Sequence, residues 1–376
     1  MKILQISSAQ SLGGGERHLA DLVNGLVDRG HDVTVALRPN SPITGELKLA
    51  EQTARPKATV TTLPLRNAMD VPSAQALAKL VRRNKIQVVH AHMARDYPLA
   101  SYAVRQNKDA RLIITRHVLF PLSRLHRITL SRAARIIAVS QAVANQVRAD
   151  GVAKAERISV VLNGIDSRRF ENAINHFSRK QFLADWGLPE DKFLIGIVGE
   201  LSPLKGQEEF LRAAAEIRRQ FPNAHFIIAG TDNSAGEKNR ARLEQLVKEL
   251  DLTEHVRLVG WVENLAQLYC AMEVFVSASH TESFGLAIAE AMACGRAVVA
   301  TETEGAREII RAGETGLLVP VGDVPALGSA IMKLLRDASE RSRMGNAAQL
   351  AVAAQFSVER MVQETEAIYR AEIEAS

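Results

Sequence analysis

Cysteine is nearly absent: Cys270 and Cys294 are the only two in 376 residues. That excludes a disulfide framework and supplies no zinc-binding spacing, so a reduced, cytosolic protein is expected. Aromatic residues make up only 5% of the chain, which predicts aliphatic cores. No apolar run approaches the ~20 residues of a membrane span. The opening segment MKILQISSAQ lacks the layout of a signal peptide, and its apolar stretch has the length of a strand. The spacing G-x-G-x-x-G is missing from the glycine-rich SLGGGE, and the second strand ends in ALR, with no acid placed for a ribose. Acidic residues disappear altogether between Asp109 and Asp150.

What is present fits a globular protein of two domains. The apolar content is 47% and the charged content 24%, and the length exceeds one ordinary core. The net charge of +5 hides an asymmetry. Residues 1–165 hold 24 Lys and Arg against 11 Asp and Glu, and the remainder holds 23 against 31. A basic half joined to an acidic half suggests an anionic partner for the first half, although solubility alone can produce such counts.

Strands alternate with helices throughout. MKILQIS, HDVTVAL, IQVVHAH, RLIITRH, ARIIAVS and RISVVLNGID read as strands of the first half, with helices at RHLADLVNGLVDRG and SAQALAKLVRRN. The rhythm restarts with FLIGIVGELS, GQEEFLRAAAEIRRQFP, AHFIIAGTD, HVRLVGWV, EVFVSAS and RAVVATE. This alternation predicts parallel sheets covered on both faces, in two doubly wound domains. Ligands of such sheets bind beyond the carboxyl ends of the strands, so the cleft between two sheets is the expected site.

One segment stands out, HTESFGLAIAEAMACG at residues 280–295. Glu282 lies in a loop after a strand, and Glu290 about one turn inside the helix that follows. Helical side chains lean towards the N-terminus, so both carboxylates can line one helix mouth. The N–H groups of Phe284, Gly285 and Leu286 and the positive end of the helix dipole suit a phosphate there. The acids would then accept hydrogen bonds from sugar hydroxyls on either side. Two acids that merely complement the dipole are the alternative, and Glu290 is deep for that role.

HTESFGLAIAEAMACGRAVVAT resembles the E-x7-E segment of the retaining glycosyltransferases of family 4, which have the GT-B fold. SLGGGERHLADLVNGLVDRGHDVTV, VVHAHM, TRH, AVSQAV, LNGID, LSPLKG and FSVERMVQETEAIY stand in that family's order, so the resemblance covers nearly the whole chain. It implies sugar transfer from a nucleotide donor with retained anomeric configuration and no required metal or other cofactor. It also implies that Glu290 holds the ribose hydroxyls, that Glu282 contacts the donor sugar, and that Ser283, Phe284, Gly285 and Leu286 surround the diphosphate. Trp261 and Val262 fall where the family's backbone meets the nucleotide base, though Trp261 also reads as a core aromatic. Gly14 and Gly15 fall in the family's opening loop, near the donor phosphate and the acceptor.

Lys205, in the loop after a strand, is a candidate clamp for the diphosphate, where leaving-group departure builds negative charge. Glu200 stands where the family's common pattern has Arg, and a carboxylate cannot pair with a diphosphate. His117, at the end of LIITR, is a candidate to hydrogen-bond the sugar or the acceptor. His90 and His92 form an H-x-H pair on one strand face; no third ligand is evident, so no metal is expected. His92 and Arg116 are assigned to the acceptor side, His90 to structure, and His280 to either role. Residues 111–136 carry Arg111, Arg116, Arg124, Arg127, Arg132 and Arg135 with interleaved leucines, which reads equally as a solvated helix or as a basic amphipathic surface for an anionic membrane.

The sequence therefore predicts two Rossmann-like doubly wound domains of the GT-B fold facing across a cleft. They span 1–170, with a C-terminal helix 356–376 packing back on it, and 171–355. The expected activity moves a sugar from a UDP- or GDP-linked donor to a glycan or glycolipid hydroxyl, in the synthesis of cell-envelope polysaccharide or lipopolysaccharide. The setting is cytoplasmic, at the inner face of the membrane if the basic surface binds it, with no nucleic acid as partner. A nucleotide-sugar epimerase, a phosphorylase of the same fold, and a non-enzymatic binder of anionic surfaces are the alternatives.

Overall fold

The computed structural model describes residues 1–11, 13–48, 58–122 and 126–375. The chain divides into two compact units, residues 1–164 with 358–376, and residues 165–357.

In the first unit the elements run β1 (Lys2–Ser7), α1 (Gly14–Asp28), β2 (Asp32–Leu37), β3 (Ala58–Thr62), α2 (Val71–Asn84), β4 (Val88–Ala91), α3 (Tyr97–Arg105), β5 (Arg111–Arg116), α4 (His126–Leu130), β6 (Arg135–Ala138), α5 (Gln141–Ala149) and β7 (Ile158–Val160). The strands form one parallel sheet in the order β3-β2-β1-β4-β5-β6-β7. Its central strands bury both faces, which is why they read as continuous apolar runs such as Ile3, Leu4 and Ile6. One cluster of aliphatic side chains packs on each side of the sheet.

The second unit holds α6 (Ser167–Asn175), α7 (Arg179–Asp185), β8 (Phe193–Val198), α8 (Gln207–Gln220), β9 (Ala224–Ala229), α9 (Lys238–Glu249), β10 (Val256–Gly260), α10 (Leu265–Ala271), β11 (Val274–Ser277), α11 (Leu286–Ala293), β12 (Ala297–Thr301), α12 (Glu304–Ile309), β13 (Leu317–Val319), α13 (Val324–Arg336) and α14 (Ala338–Gln355). Its parallel sheet has the order β10-β9-β8-β11-β12-β13.

The last helix, α15 (Val358–Glu374), belongs to the first unit. It buries Met361, Val362 and Tyr369 in that unit's core. Glu366, 4% exposed, is paired with Arg29, His31 and Arg370. Burial pushes its carboxyl up, but those partners more than offset it and hold the pKa down to about 2. Arg135 binds the Glu372 carboxylate at 2.6 Å, and Arg111 donates to its backbone carbonyl. Two arginines of the segment 111–136 are therefore clamps on a helix.

The rest of that segment corrects the solvated-helix reading. Among its described residues it forms strand β5, the five-residue α4 and strand β6, and none of them belongs to a long basic helix. Arg116 is 6% exposed and donates to the Phe120 carbonyl. Arg124 lies outside the described residues. Among the described residues no helix is long and apolar enough to cross a membrane.

Candidate active site

Each sheet changes winding direction once. In the first the reversal falls between β1 and β4, and in the second between β8 and β11. Crevices open at such points because the loops from the two central strands turn to opposite faces.

In the second unit the loop after β8 carries Lys205 and the loop after β11 carries Glu282. The two loops touch. The His280 N–H donates to the Leu204 carbonyl at 2.9 Å. Gly206 has φ +68°, and a Cβ there would fall 1.9 Å from the Ala278 carbonyl oxygen, so only glycine allows the approach. The result is a short ion pair, Lys205 Nζ to Glu282 Oε1 at 2.6 Å. The Ser279 hydroxyl donates to the same carboxylate oxygen at 2.8 Å. Both side chains stay within reach of solvent, Lys205 at 31% and Glu282 at 14% exposure.

Helix α11 begins beside this pair. Its N-cap, Gly285, has φ +104° and no side chain to cap the first turn, so the N–H groups there project from the helix end without a side-chain partner. Phe284 is buried and packs edge-on against Phe356, which anchors the turn, while Ser283 and Leu286 are half-buried. Glu290 is 8% exposed and accepts a hydrogen bond from the Tyr269 hydroxyl at 2.8 Å. Tyr269, from α10, was not singled out in the sequence; nothing in its local pattern sets it apart from a core aromatic.

Glu200 turns away from the pair. Its carboxylate accepts from Asn233 Nδ2 at 3.1 Å and its carbonyl from Gln207. Trp261 follows β10, two strands from β8, and is 51% exposed, with Val262 half-buried. Trp261 is thus a surface aromatic and not a core one. His280 pairs with Glu209 at 2.9 Å. A cavity of about 510 Å³ lies beside this loop, lined by Leu204, Gln207, Arg212, Arg242 and His280, and it does not reach Lys205, Glu282 or Glu290.

In the first unit the corresponding loops bring histidines together. Gly14 and Gly15, expected in a loop, are the first residues of α1. Gly15 is close to the ring of His117, whose carbon atoms stand 3.5 Å from where its Cβ would be. His117 follows β5, and His92 follows β4; their Nε2 and Nδ1 atoms are 3.3 Å apart. His18, from α1, completes the group, with its ring centroid 4.8 Å from that of His117. Burial lowers all three pKa values, that of His18 to about 4, so the rings are neutral at pH 7. His90 lies behind them, its two nitrogens bonded to Tyr369 and Thr115.

Comparison with known proteins agrees with this architecture. The family model for Glycosyltransferase Family 4 matches residues 12–169, and that for glycosyl transferases group 1 matches residues 178–351. An N-acetyl-alpha-D-glucosaminyl L-malate synthase of Bacillus anthracis is 27% identical over 80% of this chain and 78% of its own. A D-inositol 3-phosphate glycosyltransferase of Thermomonospora curvata is 35% identical over 56% of this chain, and the match spans half of that relative's length. The crystal structure of Anabaena HepE in complex with UDP-glucose superposes with a TM-score of 0.86 at 23% identity, covering 99% of this chain and all of that one. The two matched halves, the two switched parallel sheets and this structural likeness lead to one conclusion: the chain belongs to the group 1 glycosyltransferases and has the GT-B fold.

Proposed function

We propose that the protein moves a sugar from a UDP- or GDP-linked donor to a hydroxyl of a glycan or glycolipid, with retained anomeric configuration and no metal at the diphosphate. The observation that carries this reading is the Lys205–Glu282 pair beside the uncapped end of α11, at the switch point of the second sheet. A diphosphate seated on the helix end draws Lys205 from Glu282. The ammonium then neutralises charge that grows on the phosphate as the glycosidic bond breaks. Glu282, released, accepts a hydrogen bond from the donor sugar. Glu290, oriented by Tyr269, accepts hydrogen bonds from the ribose hydroxyls. Trp261 and Val262 border the base. A cation and a helix dipole together do the work a magnesium ion does elsewhere, so chelation leaves turnover intact.

The acceptor is assigned to the first unit, with His92 and Arg116 on its side, His117 placed to contact sugar or acceptor, and Gly14 and Gly15 near the donor phosphate; Arg116 acts there by holding the 117–120 loop through Phe120. The acceptor hydroxyl attacks from the face that the leaving group vacates. A role in envelope polysaccharide or lipopolysaccharide synthesis follows from a glycan acceptor, and the named relatives with malate and inositol phosphate make a small anionic acceptor the competing choice. Phe120 and Ile128, 62% and 68% exposed near Arg127 and Arg132, are where contact with an anionic membrane would occur.

The test is a thermal-shift screen of nucleotide sugars followed by NMR of the product. A donor that raises the melting temperature of the parent but not of Glu290→Ala, and a product with the donor's anomeric configuration, support the proposal. Inverted product, or conversion of donor to its epimer without any acceptor, overturns it. Equal flotation of the parent and an Arg127/Arg132 charge-removal variant with anionic liposomes discards the membrane contact.

A further inference from the structure

We propose that His18, His92 and His117 form a binding site for a divalent transition metal of borderline softness, such as Zn²⁺, at the switch point of the first sheet. Each offers one nitrogen, and the three donor atoms lie within 4.8 Å of one another. A tetrahedral zinc ion with bonds of about 2.0–2.1 Å separates its ligand nitrogens by about 3.4 Å. The edge from His92 Nδ1 to His117 Nε2 is already 3.3 Å. The ring centroids make a nearly regular triangle of 4.8, 5.5 and 5.9 Å, close to the roughly 5 Å that three imidazoles on one zinc ion require. Small rotations of His18 close the remaining edges.

The surrounding hydrogen bonds aim the lone pairs inward. Gln5 donates its amide N–H to the Tyr369 hydroxyl at 3.1 Å, so its oxygen faces the other way, towards His92 Nε2 at 2.8 Å. His92 Nε2 therefore carries the proton, and Nδ1 is left with a lone pair pointing at the centre. The Tyr369 hydroxyl donates a hydrogen bond to His90 Nδ1, and His90 Nε2–H donates to Thr115. That explains why His90, with both nitrogens engaged, stays outside the site. His18 is fixed in the same manner, with Nδ1 2.9 Å from the Asn163 Oδ1 and Nε2 free to ligate. Two of the three ligands thus have the outer N–H held by an amide oxygen, the kind of contact that orients metal-binding imidazoles in zinc proteins.

His18 and His92 are buried, at 4% and 5% exposure, which screens the two ligands from bulk water. His117 is partly exposed, which provides an entry and leaves a fourth position for water or another ligand. Arg116, close enough to act on His117, repels a dication, so the affinity is expected to be below that of a closed structural zinc site. The consequence for activity rests on the reading above: an ion here occupies the lone pair that His117 would offer to substrate, and transfer is inhibited. Metal is thus not required for the reaction but can arrest it.

The experiment is a Co²⁺ titration of the metal-stripped full chain, read by the visible d–d bands of tetrahedral cobalt, with Zn²⁺ displacement. Binding of one Co²⁺ per chain with tetrahedral bands is expected, lost in His18→Gln and weakened about 10–100-fold in Asn163→Ala. Circular dichroism checks that each variant is folded; if His18→Gln is not, Asn163→Ala carries the test. No cobalt band in the parent, or equal affinity in the parent and both folded variants, overturns the site. Zn²⁺ bound as expected but without effect on transfer overturns the role given to His117 and leaves the ion site standing.

Discussion

The two units share one backbone plan and differ in what their switch points display. Both sheets are parallel, both reverse between two central strands, and both send out the loops that carry the notable side chains. In the second unit those loops offer a cation, two carboxylates and a helix end. In the first they stand beside neutral imidazoles, of which His117, His92 and His90 belong to a hydrogen-bond chain that runs through Gln5 and Tyr369 to Thr115, while His18 is held separately by Asn163. The lesson is that the doubly wound sheet supplies a place and not a chemistry: equivalent strand ends display a cation paired with a carboxylate in one unit and clustered imidazoles in the other, according to a few residues beside them.

The largest effect expected from breaking this division is at Lys205. Lys205→Ala removes the cation paired with Glu282 and should lower kcat by about 10²–10³-fold, the scale of losing a preorganised donor to developing charge. Steady-state kinetics with the donor found in the thermal screen measures it. Glu282→Gln should lower turnover, while Glu290→Ala should act on donor KM with little change in kcat. Near-parent kinetics in both would remove the roles given to the acids.

Gly206→Ala comes next, because the new methyl group meets the Ala278 carbonyl and the residue must hold a positive φ. It should destabilise the second unit by about 1–3 kcal/mol and loosen the Lys205–Glu282 pair. Hydrogen exchange would show the loss confined to residues 165–357.

Acid should distinguish the units in the opposite sense. His18, His90, His92 and His117 all have folded pKa values below that of an unfolded histidine, near 6.5, because burial opposes their charge. As pH falls through 6.5 the unfolded chain takes up protons that the folded unit refuses, so stability drops progressively towards pH 4. Asp96 works against this: burial raises its pKa to about 6, and the folded state gains by protonating it. Glu16, also raised by burial, adds to that gain and His31, also lowered by burial, to the loss, and two such carboxyls do not balance five imidazoles. The second unit has one comparable histidine among its described residues, His225, lowered by burial to about 4. Hydrogen exchange at falling pH should therefore open residues 1–164 first; simultaneous opening would show that the cluster is not held neutral.

The smallest expected effect is that of Tyr369→Phe, which removes the hydroxyl linking α15 to Gln5 and His90. It should cost the first unit about 1–3 kcal/mol in thermal unfolding, the penalty for buried partners left unpaired.

Much of this was legible beforehand where a local pattern carries the physics. The apolar runs at Ile3–Ile6 and Val274–Val276 mark central strands, and the segment around Glu282 and Glu290 marks a helix opening beneath two acids. Two strands escaped notice. Ala58–Thr62 alternates threonine with small residues at the sheet edge, and Leu317–Val319 has only three residues, so neither shows the long apolar run that gave away the others. The arginines of 111–136 were less legible. A row of charges looked like one amphipathic surface, whereas burial of Arg116 and the pairing of Arg111 and Arg135 with α15 divide it among separate tasks.

The sequence by itself determined where strands and helices alternate, that there are two sheets, and that Glu282 and Glu290 flank a helix start, because periodicity and loop chemistry act over a few residues. Only the tertiary structure decided that Lys205 meets Glu282 across 77 residues, that Tyr269 holds Glu290, and that His18 and His117 stand beside His92. Those contacts depend on the order in which strands assemble, and strand order is fixed by burying both faces of a sheet at once, a condition that no short stretch of chain expresses.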